Sequence, residues 1–135
     1  MNSHDRFRDA ALDGSPLAGE VIIDAHMHIG KFYNFFLPQP DVASLIARAR
    51  RLGISRLYGS SLLAIRGDAE TGNATAVAAH REYPAEFFPY IVFKPNYAEL
   101  AQSTIDLAVS SGIRQFKIHD DGNDLPYDHE SYRPL

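Results

Sequence analysis

The sequence predicts an α/β protein with a parallel sheet, and three observations carry that prediction. Apolar runs rich in β-branched or aromatic residues open near residues 21, 56, 88 and 114, which is a period of about 31 residues. Between them lie stretches whose apolar residues recur at helical spacing, so the order is β, α, β, α, β, α, β. Parallel neighbours need a crossover, and a helix is its usual content. An open doubly wound sheet and a (β/α)8 barrel both satisfy this order. Eight units of this period need roughly the 250 residues of a typical barrel, so the 135-residue chain reads as the N-terminal half of a TIM-type barrel.

Residues 1–20 mix charges with Gly14, Pro16 and Gly19 and show no sustained period, as expected of an N-terminal arm, mobile or holding a short leading helix. The partial barrel domain follows over 21–135. Its first strand runs from Val21 to about His28, and "IGKFYNFFLPQP" is an aromatic loop closed by two prolines. Asp41 is placed to cap a helix in which Val42, Leu45, Ile46, Ala49 and Leu52 share a face, with Arg48, Arg50 and Arg51 in its later turns and Gly53 past its end.

A second strand near Arg56–Ser60 leads into a glycine-containing loop through Gly72. A helix over roughly Asn73–Tyr83 follows, stopped by Pro84. "FFPYIVF" is the third strand. Leu100, Ala101, Ile105, Ala108 and Val109 mark a helix within Tyr97–Ser111, closed by Gly112, and "IRQFKIH" is the fourth strand. The last stretch, "DLPYDHESYRPL", reads as a loop entering a helix that stops in its first turn, so the chain is expected to be a fragment.

Composition narrows the classes of function. A net charge of −4, a pI near 5.8 and no run of basic residues leave no electrostatic footprint for a nucleic acid. No cysteine is present, so any metal must be held by histidine, carboxylate or a modified side chain. Neither a secretory signal nor a membrane span is apparent, and a cytoplasmic protein without a membrane partner is expected.

The chemistry concentrates in "VIIDAHMHIG". On a regular strand alternate side chains share a face, so Asp24, His26 and His28 should project together and Ile23, Ala25 and Met27 to the other side. In a barrel the first set would line the lumen. Two imidazoles two residues apart can converge on one divalent cation with bonds of about 2.0–2.1 Å. The strand's C-terminal end is also where barrel enzymes keep their active sites. The alternative is a pair of histidines satisfied in the core or at the surface.

"IIDAHMHIG" resembles the first-strand signature of the amidohydrolase superfamily. "GIRQFKIHDDGNDLPYDHESYRPL" is similar to the fourth-strand region of its amidohydrolase-related (amidohydrolase 2) branch, and "GNATAVAAHREYPAEFFPYIVFKPNYAEL" to that branch's second helix and third strand. The resemblance runs from Val21 to the end of the chain.

It implies a metal-dependent hydrolase acting on an amide, ester or lactone of a small molecule through metal-activated water. His26 and His28 would be the first two ligands of a divalent cation, usually Zn2+. A metal-dependent decarboxylase on the same scaffold and a non-catalytic half-barrel binding module are the competing readings. Asp24 matches the acid of the motif, either accepting an N–H from a metal-bound imidazole or satisfied by backbone.

Lys117 and His119 share one face of the fourth strand, opposite Phe116 and Ile118. In some superfamily members a carboxylated lysine on this strand bridges two metals. Lys117 is a candidate for that role, for pairing with a substrate carboxylate, or for snorkelling to the strand end; His119 is a pocket candidate. The remaining ligands and the catalytic aspartate are implied on later strands, beyond residue 135. The chain alone is therefore expected to be inactive, and to need a homo-oligomeric partner or a missing C-terminal half.

In the loops, Lys31, Phe32, Tyr33, Phe35 and Phe36 offer an aromatic wall, or simply a loop packed on its neighbours. Arg66 offers a partner for a substrate carboxylate, or a surface arginine beside Asp68. Tyr97, Asp120 and Asp121 complete the expected rim. His80 falls within the second helix and reads as solvent-exposed, and "YGSS" lacks the second glycine of a nucleophile elbow.

Overall fold

The structure, a computed structural model, describes residues 5–17, 19–34, 36–119 and 123–135. Within the N-terminal arm a leading helix is present, α1 (Arg6–Asp13). Asp5 caps it by accepting from the N–H groups of Phe7 and Arg8, and Gly14 ends it at φ +63°. No residue of α1 is buried.

The sheet begins with β1 (Ile22–Ile29), which pairs in parallel with β2 (Ile54–Ser61). Strand β2 pairs in parallel with β3 (Phe87–Pro89), and β4 (Ile91–Val92) pairs in parallel with β5 (Phe116–Lys117). Strands β3 and β4 are two halves of one extended run. Tyr90 N–H still donates to Gly59 O on β2 at 2.8 Å, and Ile91 N–H donates to Gln115 O on the β5 side at 2.9 Å. Spatial order therefore follows chain order, and every pairing is parallel.

Three helices cover one face of this sheet: α2 (Val42–Arg51), α4 (Ala69–Glu82) and α5 (Ala98–Ser111). Ile46 and Ala49 of α2 and Ala76 and Ala79 of α4 meet Ile29, Leu57 and Phe87 in one core. Val77 of α4 and Ala108 of α5 meet Ile91 and Ile113 in a second. Alanines at the helix contacts let the helix backbones lie close to the strands. Arg50, at the end of α2, holds Glu86 before β3 by two bonds of 2.7 and 2.8 Å.

Several boundaries differ from the sequence expectation. Helix α4 starts at Ala69, four residues before the expected Asn73, because Asp68 caps it by accepting from Thr71 N–H. The expected loop before it contains a further helix, α3 (Leu62–Arg66). Gly72, read as a loop glycine, is helical: a Cβ there would lie 2.3 Å from Ala64 N, so its lack of a side chain lets α3 cross α4 closely. Strand β5 keeps two residues of the expected seven, and the end of the chain forms a 3-10 turn, Glu130–Tyr132, with Tyr132 buried.

Asn73 has a structural task. Its Nδ2 donates to Val92 O and its Oδ1 accepts from Val92 N–H, both at 2.9 Å, with the side chain fully buried. Strand β2 has already turned into α3 at this level, so the amide replaces a neighbouring strand for Val92.

The alternation expected for Asp24, His26 and His28 is broken by a bulge. Asp24 pairs with Leu57 and Met27 with Gly59, so three residues of β1 advance against two of β2. Leu57 and Met27 belong to the helix-facing core, which puts Asp24 on their side and off the face of the histidines. Asp24 Oδ1 accepts from His26 N–H at 3.0 Å, and the Ala25 carbonyl accepts from Tyr90 Oη–H at 3.0 Å. The backbone groups that the bulge frees are thus satisfied by side chains. Among the described residues no helix is long and apolar enough to cross a membrane.

Candidate metal and ligand site

His26 lies within the bulge and His28 just past it, with ring centroids 5.1 Å apart and ring planes at 81°. Two imidazoles bonded through nitrogen to one tetrahedral cation at about 2.0–2.1 Å would hold their ring centres about 5 Å apart, so the spacing fits a shared ion. His28 Nδ1 lies 3.2 Å from Ser60 Oγ, which leaves Nε2 as its outward donor. Lys117 Nζ donates to His26 Nε2 across 3.4 Å, engaging the lone pair a metal would use.

His119 stands near enough for its charge to act on His28. Among the described residues no group of three or more His, Cys, Asp or Glu is arranged to hold a metal ion. The two imidazoles fit part of a coordination shell, since a catalytic zinc needs three protein ligands and a water.

Burial is the largest cause holding the His28 pKa below its ordinary 6.5; the charges of His26 and Lys117 add to it, the bond to Ser60 opposes it, and His119 lowers it further. The neutral, ligand-competent imidazole is therefore favoured. As the pH falls below 6.5 unfolded His28 takes up its proton before folded His28 does, so its contribution to stability is full above that pH and is lost as the pH falls from there through the lowered folded value. A proton NMR titration of the metal-free protein should give a His28 midpoint below 6.5; a midpoint at or above that value would contradict the site's electrostatics.

The structure brings His26, His28, Lys117 and His119 together and separates the other candidates from them. Asp24 is bound to the His26 backbone and not to an imidazole, which is the backbone-satisfied alternative. Arg66 and Tyr33 share a cleft of about 350 Å³ with Lys31, Phe32, Leu62 and Leu63, and among the described residues no histidine lines it. Tyr97 precedes α5 and is 62% exposed. Phe35, Asp120 and Asp121 lie outside the described residues.

His80 is half-buried, not solvent-exposed. Its Nδ1 lies 2.6 Å from Phe87 O, and its ring sits 5.7 Å from that of Phe88. Sequence reasoning missed Ser60 and Tyr90. Ser60 stands in the "YGSS" that was weighed only as a nucleophile, yet it is 1% exposed beside His28. Its use depends on the ladder register, in which Ser60 pairs with His28.

Comparison with protein-family models, with curated proteins and with solved structures found no match to this chain.

Proposed function

We propose that this chain carries the first part of the metal site of an amidohydrolase-related β/α-barrel hydrolase, with His26 and His28 as two ligands of a divalent cation, most simply Zn2+. One contact carries the reading. Lys117 Nζ reaches His26 Nε2 at 3.4 Å, although β1 and β5 are separated by β2 and the β3–β4 run. On a flat sheet those strands would stand about 14 Å apart. Side chains that meet across that span, over Ser60 and Tyr90, argue that the face opposite the helices is concave.

Strand order running in one direction, with α2, α4 and α5 on one face, supports a curling barrel segment. A doubly wound sheet reverses order at a switch point and takes helices on both faces.

A divalent cation in such a site polarises a carbonyl oxygen and makes water nucleophilic near neutral pH. The residues here would do the holding. Ser60 fixes the His28 ring, the Asp24 carboxylate and Tyr90 hydroxyl fix the backbone around His26, and Lys117 supplies a cation for a substrate carboxylate or a nitrogen open to modification. The other ligands and the general base for amide, ester or lactone hydrolysis would come from further strands, in the same polypeptide or a partner.

Titration of untagged, metal-free protein with Co2+ tests the assignment. One weak site with the absorption of nitrogen-ligated cobalt is expected, and the His26→Ala, His28→Ala double variant should lose it. Equal binding by the double variant would overturn the ligand assignment.

A further inference from the structure

We infer that the Lys117 ammonium and the Ser60 carbonyl are positioning groups that hold both imidazoles of the proposed site as the Nδ1–H tautomer, so that Nε2 of His26 and Nε2 of His28 are the two ligating nitrogens. A neutral imidazole carries one proton on one of its two nitrogens, and the hydrogen bonds of the ring decide which. The partner of each contacting nitrogen gives the answer at both rings.

At His26 the partner is Lys117, whose Nζ lies 3.4 Å from Nε2. An ammonium donates and never accepts. His26 Nε2 therefore offers its lone pair, and the proton sits on Nδ1. At His28 the contacting nitrogen is Nδ1, 3.2 Å from Ser60 Oγ. A hydroxyl either donates or accepts, so a second contact sets the direction. His28 also bonds to the Ser60 backbone, and that bond favours the protonated ring. A carbonyl acceptor acts in this sense, and a backbone N–H donating to the ring acts in the other. The nitrogen turned toward Ser60 thus carries the hydrogen, and Nε2 keeps its lone pair.

Ser60 is well placed for this task, being 1% exposed and opposite His28 in the ladder of β1 and β2. With the ring centroids 5.1 Å apart and both Nε2 lone pairs available, no proton has to leave a ring or cross it before two metal bonds form. The chain also carries two internal standards. His80 Nδ1 lies 2.6 Å from the Phe87 carbonyl oxygen, which puts its proton on Nδ1. His129 Nδ1 accepts from Ser131 N–H at 3.2 Å, which puts its proton on Nε2.

As a statement about metal capture this rests on the hydrolase reading; as a statement about tautomers it does not, and the test uses that separation. Two-bond proton–nitrogen correlation spectra are recorded on metal-free protein labelled with 15N-histidine, at about pH 8, where histidine is neutral. Single His26→Ala and His28→Ala variants assign the two rings. Both should show the pattern of His80, the inverse of that of His129. Lys117→Met should move His26 toward the His129 pattern, and Lys117→Arg, which keeps a donor, should leave it in place. Ser60→Ala, which keeps the carbonyl, should leave His28 in place. His80 and His129 report in the same spectra whether each variant is folded.

A His129-type or averaged pattern at either ring of the unsubstituted chain would overturn the inference. So would a His26 pattern indifferent to Lys117→Met in a folded variant, or a switch at His28 in Ser60→Ala. The hydrolase reading fails separately. Cobalt binding that survives in the His26→Ala, His28→Ala double variant removes the ligand assignment and leaves the tautomers standing. Cobalt binding lost in that variant, with His26 in the His129 form in the unsubstituted chain, keeps the assignment and removes the positioning roles.

Discussion

Replacing Asn73 by alanine should cost roughly 3–5 kcal/mol of stability, the largest loss expected from any single substitution considered. The change removes two buried hydrogen bonds and leaves Val92 N–H and C=O without partners in a position water does not reach. Each unsatisfied backbone group costs about 1–3 kcal/mol, against a total stability of about 5–15 kcal/mol for a domain of this kind. The melting temperature should fall by roughly 10–20 °C. Chemical denaturation of the variant checks the figure, and a loss below about 1 kcal/mol would mean that the amide does not stand in for a strand. Asn73→Asp should be nearly as damaging, because a carboxylate has no N–H for Val92 O.

Gly59→Ala should damage both the fold and the proposed metal site. A Cβ at this position would lie 2.3 Å from Met27 Sδ and 2.6 Å from Met27 O. A side chain can swing aside, but the carbonyl belongs to the backbone and moves only if β1 moves. Overpacking of this kind costs about 1–3 kcal/mol. Met27 stands between His26 and His28, so the displacement should also spoil their 5.1 Å spacing and weaken cobalt binding by about ten-fold or more, the scale seen when groups that orient metal ligands are lost. Unchanged cobalt affinity in a folded Gly59→Ala protein would show that ladder geometry does not set the histidine spacing.

Much of this arrangement was legible because local chemistry and global packing agree. Asp41 caps α2, the apolar face of α2 points to the sheet, and Gly53 and Gly112 adopt the positive φ that ends α2 and α5. The misreadings share a different cause: each depends on a neighbour that periodicity cannot see. Gly72 looks like a loop residue until α3 is laid across it, and Asn73 looks like a helix start until β2 stops short of Val92.

Within the candidate site, alternation put His26 with His28 and Lys117 with His119, and those four do gather. Alternation failed for Asp24 because the rule assumes an unbroken ladder, and the extra residue between Asp24 and Met27 is a property of how two strands pair. Ser60 escaped for a related reason. A buried serine shows its use only when its partner strand is in register.

The bond from Lys117 to His26 Nε2 has a consequence for filling the site. The ammonium engages the lone pair of the imidazole and fixes the direction in which the ring points. A divalent ion in the proposed site would have to displace this ammonium before bonding to the same nitrogen. On the proposed assignment, filling would be an exchange of one cation for another at the same nitrogen.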